Sequence, residues 1–142
     1  MSSANVELVR SIYADWERGD FSRTAAWADP QMEWVGVDGL APGRTVGLDA
    51  MAAGWREFLT DWDGFRAVGE EYRELDSERV LVLHRFFGRG RASGLEVGQT
   101  GSEGACIFHV RDGAVTRLLL YTVRDNALAA VELSPESGRA AS

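Results

Sequence analysis

Leu48, Met51, Ala52, Trp55, Phe58, Leu59 and Trp62 recur at helical spacing and make one continuous apolar face. Val6, Val9, Tyr13 and Trp16 repeat that period nearer the start and predict a helix over about residues 5–18. Ser3 or Asn5 can cap its start, and Gly19 suits its C-terminal cap. Asp20 can open a second short helix, FSRTAAWA, which Pro30 stops. MEWVGV alternates like a strand, DGLAPG reads as a loop, and RTVG is a short extended piece. Beyond residue 64 the period falls to two. Strands are predicted over 65–75, 79–91, 99–111 and 114–123. Turns fall at Asp76-Ser77, Ser93-Gly94 and Asp112-Gly113, the last a strong hairpin signal. Asp125 can cap a closing helix, NALAAVEL, and the polar tail SPESGRAAS is loose.

Helices, a strand pair, a helix and then an antiparallel meander make an α+β domain, with helices on one face of a curved sheet. One domain over 1–133 and a tail over 134–142 use the whole chain. A sheet with one dry and one wet face alternates strictly. Two strands here do not. Val80, Val82, His84 and Phe86 oppose Leu81, Leu83, Arg85 and Phe87, and Leu118 and Leu120 oppose Leu119, Tyr121 and Val123. Both faces are apolar and need cover. The reading adopted is a homodimer through the outer sheet face; the alternative is that the C-terminal helix wraps round onto it.

Composition narrows the chemistry. The net charge is −7, and all 15 basic residues are Arg. Without Lys there is no Schiff-base lysine and no Walker-type phosphate loop. The acidic balance argues against nucleic-acid binding. No apolar run reaches the roughly 20 residues of a membrane span, and MSSANVELVR lacks the apolar core of a signal peptide, so a cytoplasmic location is expected. The single cysteine, Cys106, excludes an internal disulfide and a multi-cysteine metal site. No cofactor and no metal are implied.

The stretch VLVLHRFFGRGR poses the sharpest question. His84 is an acid–base catalyst, a ligand donor or a satisfied core residue. Arg85, Arg89 and Arg91 share the opposite face and read as a solvated or dimer-edge charge row, while Gly88 and Gly90 lie on the His84 side, where they allow the strand to bend or a neighbour to approach. His109 has the opposite parity to Cys106 and Phe108, which argues against a His84–His109 pair.

The runs IYADWERGD, ADPQMEWVG, GLDAMAAGWREF, GRGRASG and FHVRDGAVTRL, in this order, resemble the SnoaL-like branch of the nuclear transport factor 2-like superfamily. The resemblance implies a cone-shaped roll: a curved antiparallel sheet around a pocket closed by the N-terminal helices, often dimeric through the outer sheet face. It implies a pocket face carrying His84 and Tyr13 as candidate catalytic groups. Trp16, Trp34, Phe86, Cys106, Phe108, Leu118, Leu120 and Thr122 would be ligand-binding, with Trp27 and Trp55 as further aromatic candidates. Relatives include polyketide cyclases, ketosteroid isomerases, epoxide hydrolases, dehydratases and binding modules, so fold does not choose among them.

Their carboxylates are missing here. The isomerase-type base, acid and tyrosine positions fall near Val35, Cys106 and Ile12, and Met32 to Gly36 offers only Glu33, of the wrong parity. The hydrolase-type Asp–Arg–Asp positions fall at Phe86, His84 and Leu120, and the last strand, RLLLYTV, holds no acid. The expectation is a mainly apolar pocket that binds a hydrophobic small molecule. The alternative is a cofactor-free isomerase, cyclase or dehydratase with His84 as general acid/base, and a third class is a protein-interaction module. A second polar group within reach of His84 favours catalysis; a lone imidazole favours binding.

Overall fold

The computed structural model describes residues 4–22, 26–38, 43–60, 62–90, 96–97 and 103–133. The first helix, α1 (Ala4–Glu17), buries Val6, Val9, Ile12, Tyr13 and Trp16. Asn5 lies inside it and donates to Ser77 O at 2.8 Å rather than capping it. Gly19, at φ 82°, donates its N–H to Trp16 O while Asp20 N–H reaches Asp15 O, the paired bonds of a glycine-closed helix end. The Asp20 carboxylate then accepts from the Ser22 amide and hydroxyl, a local turn. Residues 23–25 of the predicted second helix lie outside the described residues, and Ala28, its expected last residue, already belongs to a strand.

That strand, β1 (Ala28–Gly36), runs through Pro30. Pairing of β1 with the last strand, β7 (Ala114–Tyr121), is irregular between Ala28 and Glu33, so the missing proline N–H interrupts no regular ladder there. The β1–β7 pair is parallel, where an all-antiparallel sheet was expected. Neighbours joined by a hairpin must be antiparallel; β1 and β7 are separated by most of the chain and are free of that constraint. On its other edge β1 pairs with β2 (Gly43–Val46).

The second helix, α2 (Leu48–Leu59), stops before Trp62, which opens β3 (Trp62–Glu74) although it matched the helical face. Then come β4 (Arg79–Gly90), β5 (Glu96–Val97) and β6 (Glu103–Arg111). The sheet order is β2-β1-β7-β6-β4-β3, with β5 added to β4. Asp112 and Gly113 turn β6 into β7 with φ of 53° and 78°, the two positive values of the hairpin turn that Asp-Gly signals. The turn expected at Ser93-Gly94 lies outside the described residues, as does the tail over 134–142.

The sheet is curved and unclosed, and it divides into the two faces that parity predicts. Val80, Val82 and Phe86 of β4 join Ala67, Cys106, Phe108, Leu118 and Leu120 against α1. On the outer face Leu81, Leu83, Ala105, Ile107 and Tyr121 pack with Ala127, Leu128 and Val131 of α3 (Arg124–Leu133). Asp125 sits in the first turn of α3 rather than at its cap. Part of the outer apolar set for which a second subunit was invoked is therefore covered by α3 of the same chain. Arg85, on that face, pairs with Glu70 at 3.2 Å and Glu103 at 2.6 Å, as a charge row should. Arg91 lies outside the described residues. Among the described residues no helix is long and apolar enough to cross a membrane.

Candidate functional site

Between α2, β2 and the inner sheet face lies a cavity of about 320 Å³. Trp16 and Phe21 close it from the α1 side, Met51, Trp55 and Phe58 from α2, and Trp34, Arg44 and Thr45 from the paired strands β1 and β2. Phe65, Ala67, His84, Phe86, Cys106 and Leu120 form the floor. The aromatic rings hold one another: Phe21 stacks on Trp55 at 4.6 Å between centroids, Trp34 meets Trp55 edge-on at 5.1 Å, and Phe58 meets Phe65 edge-on at 5.0 Å. Among the described wall residues there is no carboxylate.

Of the residues the sequence proposes, Trp16, Trp34, Trp55, His84, Phe86, Cys106 and Leu120 meet at this cavity. The others do not. Phe108 is fully buried with its ring 5.9 Å from Tyr13 and 6.2 Å from Trp16. Leu118 is fully buried too, and both belong to the core packed against α1. Parity puts them on the inner face, but α1 covers that part of it. Thr122 stands clear of the cavity and donates through its amide and hydroxyl to Asp38 Oδ1, both at 2.6 Å. Asp38 Oδ2 also accepts from Asn126, so Asp38 ties the end of β1 to the start of α3. Residues 39–42 of the DGLAPG loop lie outside the described residues, and its last residue, Gly43, opens β2. Trp27 is a core residue, and Trp55 is part of the wall.

His84 is fully buried, and its Nδ1 lies 2.7 Å from the Tyr13 hydroxyl. Tyr13 is not part of the cavity wall; it stands behind His84. A phenol from α1 and an imidazole from β4 thus share one hydrogen bond inside an apolar core, and the thiol of Cys106 in β6 is buried in that core too. Burial, helped by the positive charge of Arg124 and opposed by Glu70, lowers the His84 pKa to about 3. Burial also raises Tyr13 well above its ordinary value, and it pushes Cys106 up to about 12. All three are neutral across the physiological range. His84 Nε2 is the one buried side-chain polar atom among the described residues without a hydrogen-bond partner.

The backbone is shaped around this imidazole. In the sheet register His84 stands between Gly69 of β3 and Gly104 of β6. A Cβ on Gly104 would fall 2.9 Å from His84 Nε2, and one on Gly69 would fall 2.1 Å from the Tyr72 hydroxyl. Arg124 donates to His84 O at 2.7 Å and to Gly104 O at 3.3 Å, which pins the two strands beneath the ring.

Residues 9–118 match the family described as the SnoaL-like domain. The chain belongs to that family. No curated protein matches this SnoaL-like chain. Solved structures of its fold include a nuclear transport factor 2-like protein of unknown function from Burkholderia pseudomallei, with 20% identity and a TM-score of 0.74, covering 90% of this chain and 97% of that one. A protein of unknown function with a cystatin-like fold from Xanthomonas campestris has 16% identity and a TM-score of 0.68, over 82% and 88% of the two chains. TerC, co-crystallised with polyporic acid, has 22% identity and a TM-score of 0.69, over 90% and 96%. At these identities the likeness shows the fold alone.

Among its described residues the SnoaL-like pocket holds none of the carboxylates that the resemblance implies for catalytic relatives. Glu33, the only acid of Met32–Gly36, turns away from Trp34 and pairs with Arg44 and, at 3.0 Å, with Arg117. Ile12 is core, and the neighbouring Tyr13 supplies the hydroxyl. Sequence reasoning missed Phe21, Thr45, Met51, Phe58, Phe65 and Ala67 as wall residues. Met51 and Phe58 were visible on the α2 apolar face, but periodicity does not separate a face that packs from one that leaves a gap.

Gly54 offers a direct test of that gap. It lies mid-helix in α2 at the cavity wall, and an added Cβ would meet nothing within 4 Å. Gly54→Ala is expected to stabilise the fold by about 0.5–1 kcal/mol, because alanine loses less backbone entropy in a helix interior. Chemical denaturation checks this; a destabilised variant would mean that the space beside α2 is filled.

Proposed function

We propose that this SnoaL-like domain binds a hydrophobic, ring-bearing small molecule in the cavity between α2 and the sheet. The observation that carries the reading is the cavity itself: about 320 Å³ walled by aromatic side chains. That volume suits a compact two- or three-ring compound, and such walls with few polar groups are the usual make-up of small-molecule sites. The co-crystal of TerC with polyporic acid supports small-molecule binding as a use of this fold.

The second reading, a cofactor-free isomerase, cyclase or dehydratase, draws on the 2.7 Å contact between Tyr13 and His84. A paired imidazole is the feature that favours catalysis. Against it stands the His84 pKa of about 3, which makes the imidazole a feeble base at neutral pH. Binding is therefore the better-supported of the two. The case for a homodimer through the outer face is weaker than the sequence suggested, since many of the apolar residues that called for it are buried within one chain.

Trp16, Trp34 and Trp55 in the wall provide the assay. Titration with a neutral ring compound such as fluorene is expected to quench tryptophan emission saturably, with one site per chain. A linear, non-saturating response would refute the reading.

A further inference from the structure

We infer that His84 presents Nε2–H to an acceptor oxygen on the ring ligand, a carbonyl being the simplest, and that Tyr13 is the positioning residue that fixes this tautomer. The inference rests on the binding reading above and adds the ligand's chemical class. Its basis is the unpartnered Nε2 of a fully buried histidine in the cavity floor. Buried polar atoms are nearly always paired, so an orphan at a cavity points to a group supplied from outside.

The Tyr13–His84 hydrogen bond decides what Nε2 offers. Its proton can lie either way. In one arrangement the phenol O–H donates to His84 Nδ1; in the other Nδ1–H donates to the phenol oxygen. The phenol is a better donor than the imidazole N–H, and the imidazole nitrogen is a better acceptor than a phenol oxygen. The first arrangement is favoured. It leaves Nδ1 as acceptor and puts the imidazole proton on Nε2. An N–H is satisfied by an acceptor alone, so a hydrocarbon leaves it orphaned and a ketone does not. Gly104 keeps that side of the ring free of a Cβ that would lie 2.9 Å from Nε2.

The test uses fluorenone and fluorene, which share one skeleton and differ at the carbonyl. Nitrogen NMR of isotope-labelled histidine reads the tautomer directly. Nε2–H is expected in wild type, and its resonance is expected to shift on adding fluorenone but not fluorene. The ratio of fluorenone to fluorene affinity is expected to fall about tenfold in His84→Phe, a comparison in which the probes' unequal solubilities cancel. Tyr13→Phe is the second variant, for use whether or not His84→Phe folds. It is expected to release the tautomer preference and lower the same ratio while fluorene still binds. If both probes bind wild type but the proton sits on Nδ1, or the ratio is the same in the variants, this inference is overturned and the binding reading stands. If neither probe binds, both fall.

Discussion

Lowering the pH from about 7.5 to about 4.5 is expected to cost the fold about 2–3 kcal/mol through His84 alone. In the unfolded chain this imidazole takes up its proton near pH 6.5; in the folded chain it does so only near pH 3, because it is buried and lies close to Arg124. Between these values the unfolded state binds one proton more than the folded state. Stability is thus fully present above about pH 6.5 and drains away as pH falls towards 3, by at most about 1.4 kcal/mol per unit. His109 is shifted down as well, by burial and then by Arg117 and Arg79, and acts in the same direction. At Asp38 burial pushes the pKa up, but the hydrogen bonds from Thr122 and Asn126 outweigh it, so this carboxylate is lowered and adds its own loss only below about pH 4. Urea denaturation at closely spaced pH values separates these windows. In a His109→Gln background the slope between pH 6.5 and 4.5 is expected to be steep with His84 and nearly flat with His84→Phe. An unchanged slope in that variant, or an imidazole titrating near 6.5 in the NMR spectrum, would show that His84 is not sealed in the core.

Much of the arrangement behind this expectation is legible from period and parity. The two-residue period of Val80, Val82, His84 and Phe86 is enough to put His84 inside and Arg85 outside, because side chains alternate along a strand. Asp112-Gly113 names its own turn. What is not legible depends on distant partners. Pro30 reads as a stop signal until β7 lies beside β1 with an irregular register that tolerates it. Trp62 fits the α2 period, yet the chain leaves the helix one turn earlier, and the ring packs against Phe65 and Phe58 from the start of β3 instead. Phe108 and Leu118 carry the right parity for a pocket, but parity names a face and not the part of it roofed by a helix. The link from Tyr13 to His84 spans 71 positions, and no local pattern contains it. The same holds for the two glycines beside His84: only the registers of β3 and β6 against β4 bring Gly69 and Gly104 to its flanks.

Gly104 gives that register a measurable consequence. Gly104→Ala is expected to destabilise the fold by about 1–3 kcal/mol, towards the upper end, even though alanine is the smallest possible change. The new Cβ would fall 2.6 Å from Tyr121 O and 2.9 Å from His84 Nε2. The first contact is with a backbone oxygen of the neighbouring strand β7, which cannot swing aside as a side chain can. The second is with a ring held at its other nitrogen by Tyr13, on a residue whose backbone carbonyl accepts from Arg124. Relief requires β6 to shift against β7 or the imidazole to tilt away from the Tyr13 hydroxyl, and the tilt weakens the one hydrogen bond the ring makes, at Nδ1. The outcome is therefore expected in two readouts: a lower denaturation midpoint, and a displaced His84 nitrogen resonance. Gly54→Ala makes the same chemical change where nothing lies within 4 Å, and its expected effect has the opposite sign. If both substitutions stabilise the protein, the closeness of β6 to the His84 ring is wrong, and with it the case that the backbone is shaped around this side chain. If Gly104→Ala destabilises while the His84 resonance stays in place, the strain falls on Tyr121 alone and the imidazole has room to spare.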